Sequence, residues 1–354
     1  MPTAMIYFKR SITRYLAIAV ALAVVTSLCD SQSVAQDHSP EWLRQRLGIA
    51  PSSRRDNSSM MKLVRPIAEK SEPSVVQILS GGRPVALGVV VGQDGYVLTK
   101  RSELTGDPVR VRLADRRLVP ARVAAVRRSS DLALLKVQHD STLTPIQFVT
   151  QAPPVGSFLI TPTYNGRPIG IGVVSVRARR VEHNGRLGVV LNGDSNGTAL
   201  VQNVYPDSGA SQAGVKKLDR IIAINGRQES SSASVIRTLR GMFPGETVRL
   251  TIVRKGDTLE LNATIREMDI IQETENDTKV NGPRSARLSG FEKVIQHDTV
   301  LDPDDCGGPV LNTQGQAVGI NIARAGRVLS YALPASLVQA EVIGMLNEAR
   351  RNSN

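Results

Sequence analysis

The side chains in this chain that could perform nucleophilic or acid–base chemistry are cysteines, histidines and carboxylates, and the first two are scarce. The 354 residues hold two cysteines and four histidines. Cys29 falls in an N-terminal segment patterned as a removable leader, so the processed chain keeps a single thiol, Cys306, and can form no internal disulfide. Cys306 lies in the run Asp304-Asp305-Cys306-Gly307-Gly308-Pro309. A thiol becomes an effective nucleophile when a neighbouring imidazole lowers its pKa and later protonates the leaving amine. Carboxylates beside it act the other way and disfavour the thiolate. His297 precedes Cys306 by nine residues, and His38, His139 and His183 are isolated from it and from each other. By position none of them is a base for Cys306, which is therefore expected to be a small, partly buried filler. The same scarcity excludes a metal constellation. There is no phosphate-cradling glycine loop, and no cofactor is expected.

The elements that must position these residues begin after a leader. Lys9, Arg10 and Arg14 precede the apolar run from Tyr15 to Leu28, and Ser33-Val34-Ala35 supplies small residues. This is the pattern of a secretory signal peptide over 1–35, cleaved near Ala35, which predicts an exported protein of the periplasm, cell envelope or exterior. An uncleaved anchor is the second choice, because the apolar run is short for a bilayer span. The formal charge is +12 and aromatic residues make up 3% of the chain. The basic residues are scattered and lack stacking aromatics, so nucleic acid is not the expected partner.

Residues 36–72 are polar, with a helical pattern near Met60 to Glu69, and read as a linker with one short helix. From 73 to 178 short β-rich runs alternate with turn signals: Val75 to Leu79, Val89 to Val91, Tyr96 to Leu98, Val109 to Leu113, Leu132 to Val137, Phe158 to Thr161 and Ile169 to Val176. Such spacing predicts an all-β barrel or sandwich. A compact unit of strands and one helix, Ser231 to Arg240, occupies 182–266. A polar stretch at 267–287 reads as a linker. Strand patterns resume over 288–347 and end in a helix from Ala335 to about Ala349.

The runs Ser74-Val75-Val76-Gln77-Ile78, Asp94-Gly95-Tyr96-Val97-Leu98-Thr99 and Asp131-Leu132-Ala133-Leu134-Leu135-Lys136-Val137, together with Gly307-Gly308-Pro309-Val310 and Gln314 to Asn321, resemble in order and spacing the HtrA/DegP-type trypsin-like serine proteases. The resemblance implies a mostly β fold of two six-stranded barrels, the trypsin-like double barrel. It places a catalytic triad at Asp131, Ser102 and Cys306, where the family has aspartate, histidine and serine. Asp131 is present, but Ser102 and Cys306 stand in place of the base and the nucleophile. A serine hydroxyl has no useful basicity near neutral pH, so the triad fails at its centre. The family's oxyanion hole maps to the backbone N–H groups of Asp304 and Cys306, where a carboxylate replaces the usual glycine.

Within 182–266, Arg186-Leu187-Gly188-Val189, Pro206 to Val215, Leu218-Asp219-Arg220-Ile221-Ile222 and Ile224-Asn225-Gly226 resemble a bacterial PDZ domain, with Leu218 where a glycine is usual. This module is lodged inside the second barrel. The resemblance implies β-augmentation: a peptide C-terminus would lie along Leu187, Gly188, Val189, Val190 and Leu191, facing Val235 and Leu239. The expected function is an exported pseudoprotease that binds peptides, protein C-termini or unfolded exported proteins, assembling as a trimer if the family holds. The rival expectation is an endopeptidase using Cys306 with an unidentified base.

Overall fold

The computed structural model describes residues 57–140, 142–193 and 198–352. The leader and most of the 36–72 linker lie outside them. Helix α1 (Ser58–Glu69) starts at Asn57, whose side chain accepts from the Ser59 and Met60 N–H groups and so satisfies two otherwise unpaired helix donors. Its buried face, Val64 and Ala68, packs on Ile160, Ile171 and Leu311.

The first barrel is closed by β1 (Val75–Ser80), β2 (Arg83–Gly92), β3 (Tyr96–Lys100), β4 (Val109–Arg112), β5 (Leu118–Arg127) and β6 (Leu132–Val137), in the order β1-β2-β3-β6-β5-β4. Successive side chains of a strand point to opposite faces, and here both faces are buried. Val90, Val97 and Leu135 join Val76, Ile78 and Val111 in one core. Their neighbours Val89, Leu98 and Leu134 face the other way, into a core shared with the second barrel and the C-terminal helix. That double burial explains the near-continuous apolar runs of these strands.

The second barrel begins with β7 (Phe158–Pro162) and the long β8 (Pro168–Val181). The chain then leaves for β9 (Gly185–Arg186), β10 (Val189–Gly193), β11 (Ala199–Val204), the single turn α2 (Gly209–Gln212), β12 (Arg220–Ile224), β13 (Arg227–Gln228), α3 (Ser232–Arg240), β14 (Thr247–Arg254), β15 (Asp257–Thr264) and β16 (Arg266–Glu267). Two short helices follow, α4 (Met268–Ile271) and α5 (Glu275–Asn281). The barrel is then completed by β17 (Phe291–His297), β18 (Pro309–Leu311), β19 (Ala317–Gly326) and β20 (Leu329–Pro334), and α6 (Ala335–Arg351) ends the fold. The closed order is β17-β20-β19-β18-β7-β8.

The PDZ module thus interrupts the second barrel between two neighbouring strands. Val181 of β8 pairs with Phe291 of β17, and beyond them Gly185 and Arg186 of β9 pair with Glu267 and Arg266 of β16. The module's entry and exit therefore run side by side, which is the condition for inserting a domain without opening the host sheet. Its own sheet, β10-β11-β12-β14-β15, encloses a separate core of Val201, Ile221, Val235, Leu250, Ile252 and Ile265.

Two local features differ from the sequence expectation. The polar stretch expected as a linker at 267–287 holds two short helices, and within it Ser285 and Arg287 are wholly buried. The polar pattern there reflects hydrogen bonds made inside the protein as well as contact with water. Leu218, where the PDZ resemblance has glycine as the usual residue, takes φ +74° with its side chain exposed, a left-handed conformation that costs a side-chain-bearing residue about 1 kcal/mol.

Candidate functional site

Ser102 follows β3 and Asp131 precedes β6. These strands pair from Tyr96 with Lys136 to Lys100 with Leu132, so the ladder brings both residues to one end of the first barrel. Ser102 Oγ donates to Asp131 Oδ2 at 2.7 Å, and both residues are buried. The other carboxylate oxygen, Oδ1, has no hydrogen-bond partner and lies 3.8 Å from Arg101 Nε. Burial raises the Asp131 pKa, against the pull of Lys100, Arg287, the Ser102 hydroxyl and Arg101. The carboxylate that would orient an imidazole instead holds a hydroxyl, which cannot act as a base near neutral pH.

Cys306 ends a 3-10 turn, Pro303–Asp305, that faces the first barrel from the second. Its carbonyl accepts from Leu87 N–H at 2.9 Å, and Gly307, at φ +96°, passes so close that an added Cβ would lie 2.2 Å from the Leu87 carbonyl oxygen. Only glycine fits there. The thiol is fully buried, with Ser285 Oγ 4.0 Å away and the Asp302 carbonyl oxygen at 3.8 Å. Burial pushes its pKa up to about 11, with Asp305 and Glu103 adding to the rise and Lys100 and the Ser285 hydroxyl opposing it. A thiol so placed is almost wholly protonated at neutral pH, the reverse of an activated nucleophile.

The oxyanion-hole positions are also altered. The Cys306 N–H donates to the Pro303 carbonyl at 3.3 Å, so this donor is turned inward to its own turn. The Asp305 carboxylate accepts from Asp302 N–H at 2.8 Å, and burial raises its pKa to about 6. Donors that stabilise a developing oxyanion must point at it, and this one does not.

Among the described residues, no histidine hydrogen-bonds to Ser102, Asp131 or Cys306. His297 is fully buried on β17, with Nε2 3.0 Å from Asn321 Oδ1 and Nδ1 2.8 Å from Thr299 Oγ1. Asn321 Nδ2 donates to Thr161 Oγ1, so its Oδ1 accepts from Nε2–H. Burial lowers the His297 pKa to about 4. Asn321 in turn grips the loop after Cys306: its carbonyl accepts from Gly307 N–H and its N–H donates to Gly308. His297 is thus a brace for that loop. His183 bonds to the Met242 carbonyl, and His139 packs against Gly95.

Several charged residues at this site carried no motif in the sequence. Lys100, wholly buried, donates to Glu103 Oε1 at 3.0 Å. Burial works to lower its pKa, yet the pull of Glu103, Cys306 and Asp131 leaves it raised, so it stays an ammonium and cannot replace the base. Glu246, in the PDZ turn between α3 and β14, accepts from Arg101 Nη2 at 3.0 Å and from Arg128 Nε at 2.6 Å and Nη2 at 2.5 Å. An added Cβ on Gly245, beside it, would come within 3.2 Å of Ser102 Cβ. The PDZ turn therefore sits directly on the histidine-equivalent position. Between them remains a polar cleft of about 490 Å³, lined by Arg101, Ser102, Arg128, Asn225, Glu246 and Thr247 among others. Arg287, fully buried, donates to the carbonyls of Arg128, Ser129, Ser289 and Gly290 and stacks between Phe243 of the PDZ turn and Phe291 of β17, 4.0 and 4.5 Å from the ring centres.

The second region is the groove of the PDZ module. Strand β10 is the end strand of its sheet, and beside it lies a groove of about 370 Å³ whose lining includes Leu187, Gly188, Val189, Val190 and Leu191. Gly188 has φ +87°, and an added Cβ would lie 2.1 Å from Ser208 Cβ, so the loop that opens the groove depends on glycine. The helical wall differs from the expected pair. Leu239 lines the groove, but Val235 is wholly buried in the module's core, and Ile236 and Arg240 complete the wall instead. The helix is rotated so that the position next to the expected one faces out.

Two six-stranded barrels with facing loops, one of them carrying an inserted PDZ module beside a triad-like site, define a trypsin-fold protein of the PDZ-containing class. Residues 169–265 match the PDZ domain family, a match that begins inside β8. The chain is 37% identical over 152 residues to a "Probable periplasmic serine endoprotease DegP-like" of Chlamydia trachomatis, covering 43% of this chain and 27% of that protein. It is 29% identical over 155 residues to the "Periplasmic pH-dependent serine endoprotease DegQ" of Escherichia coli, covering 44% of this chain and 29% of that one. With the "Periplasmic serine endoprotease DegP" of Salmonella typhimurium it shares 29% identity over 108 residues, or 30% and 22% of the two chains. The chain therefore spans under a third of the length of these relatives. Over these stretches the chain is similar to HtrA-type serine endoproteases.

Proposed function

We propose that this protein is an exported, PDZ-bearing protease homologue that binds peptides or protein C-termini and does not cleave them. The observation that carries this reading is the Ser102 hydroxyl seated on Asp131 at 2.7 Å, where proton transfer would need an imidazole. The buried Cys306 thiol, with its pKa raised to about 11, and the inward-turned Cys306 N–H support it. The groove beside β10 supports the binding half: an edge strand offers unpaired backbone groups to a peptide, and Leu187, Val189, Ile236 and Leu239 offer apolar contact to its last side chain. The leader pattern at 1–35 and relatives named as periplasmic support export.

The test places an acid in the groove. Ile236 is partly exposed on the wall, so Ile236→Glu is expected to leave the fold intact by circular dichroism and to weaken capture of unfolded casein and of C-terminal peptides by about tenfold or more. Equal capture by the variant and the parent would rule out the groove as the binding site.

A further inference from the structure

The groove's charge is uneven along its length. Ser232 Oγ, at the start of α3, donates to the Asn192 carbonyl near the end of β10, so the helix runs antiparallel to the strand. Its last residues, Leu239 and Arg240, therefore lie at the other end, and α3 contacts β9 there. Arg186 of β9 lines this same end, immediately before the Leu187-Gly188 loop. Arg186 and Arg240 are both exposed, and they are the two charged side chains among the described residues lining the groove, which has no acidic one. Tyr205, whose N–H donates to the Gly188 carbonyl, adds a partly exposed ring and hydroxyl to the same lining.

An extended peptide laid along β10 alternates its side chains between the groove and the rim. If its last side chain enters the apolar pocket, the side chain before it points out of the groove at the end that carries the exposed Arg186 and Arg240. We infer that the groove selects C-termini that end in an apolar residue preceded by aspartate or glutamate, with Arg186 and Arg240 reading the acidic side chain. This selectivity rests on the reading that the groove binds C-terminal peptides. The charge complementarity argues for this ligand over a basic one, which would meet two like charges at the rim.

The test uses the full processed chain and fluorescently labelled decapeptides ending in Asp-Val, Asn-Val or Lys-Val, each as the free acid and as the C-terminal amide, with affinity read by anisotropy. Exposed ion pairs are modest, so the Asp-Val acid is expected to bind about two- to fivefold tighter than the Asn-Val acid, and the Lys-Val acid to bind weakest. This preference should shrink in about 0.5 M salt and vanish in the Arg186→Gln/Arg240→Gln double variant, whose fold is checked by its melting curve. Free acids that all bind alike and better than the amides would overturn the acidic selectivity while leaving the groove reading in place. Failure of every free acid to bind would overturn both.

Discussion

The triad-equivalent site and the PDZ groove lie in one chain but have been built in opposite ways. At the first, most groups that could react are already occupied, Asp131 Oδ1 excepted: Ser102 is bonded to Asp131 Oδ2, the Cys306 N–H to Pro303, His297 to Asn321 and Thr299, and Glu246 closes over Arg101 and Arg128. At the second, an edge strand and an apolar wall are left open to a ligand. A buried polar group without a partner is costly, so a catalytic site that has lost its base is stable only if its remaining groups find other partners. In this chain the PDZ turn supplies several of them. The PDZ turn packs against the triad-equivalent site and leaves a polar cleft of about 490 Å³ there, while the groove beside β10 stays open.

The comparison breaks most sharply if the buried thiol proves reactive. With the pKa of Cys306 raised to about 11, on the order of one thiolate per thousand molecules exists near pH 8, and burial restricts access further. Alkylation by iodoacetamide should be at least about two-hundredfold slower than for an exposed cysteine and become ordinary after unfolding in urea. Rapid labelling of the native protein would show an activated nucleophile. The next largest effect should come from Arg287→Ala. This substitution removes the side-chain donor of four carbonyls and the cation between Phe243 and Phe291, and should cost about 3 kcal/mol or more. Hydrogen exchange should rise in the 243–246 turn together with Ser102 while the β10 groove stays protected. Loss of protection in the groove as well would mean that the two regions are not separable.

A smaller effect concerns pH. The pKa of Asp305 is raised from 3.8 to about 6 in the folded protein, so between those values the folded state holds a proton that the unfolded state has released. Stability contributed by this residue therefore falls as pH rises through that window, and the penalty is complete above it. Asp305→Asn keeps an acceptor for the Asp302 N–H and should raise the melting temperature near neutral pH, with the gain vanishing below about pH 4. A gain confined to acid pH would have the wrong sign. The smallest expected change is in the module alone: Leu218→Gly relieves the φ of +74° and should stabilise by up to about 1 kcal/mol, offset in part by the added freedom of the unfolded chain.

The barrels and the module were legible because their information is local. Short apolar runs, glycine turns and motif order place β3, β6 and the Cys306 loop, and with them Asp131, Ser102 and Cys306. What closes the site is not local. Arg101 and Arg128 meet Glu246 across 145 and 118 residues of sequence, and Arg287 reaches the Arg128 carbonyl across 159. An arginine or glutamate in such a partnership has the same composition signal as one on a solvated face. Lys100, within a strand whose other residues are apolar or small, was the one buried charge whose position offered a hint. The exchange of Val235 for Ile236 on the groove wall has a simpler cause: helical periodicity fixes which residues share a face, but the rotation of that face against the sheet is set by packing.

The most direct test of binding without cleavage is to incubate the processed protein with unfolded casein and count newly formed peptide N-termini by mass spectrometry, with and without a thiol alkylator. The account predicts retention of intact casein and no new termini above the protein-free control. Turnover that the alkylator abolishes would establish Cys306 as a working nucleophile and contradict it.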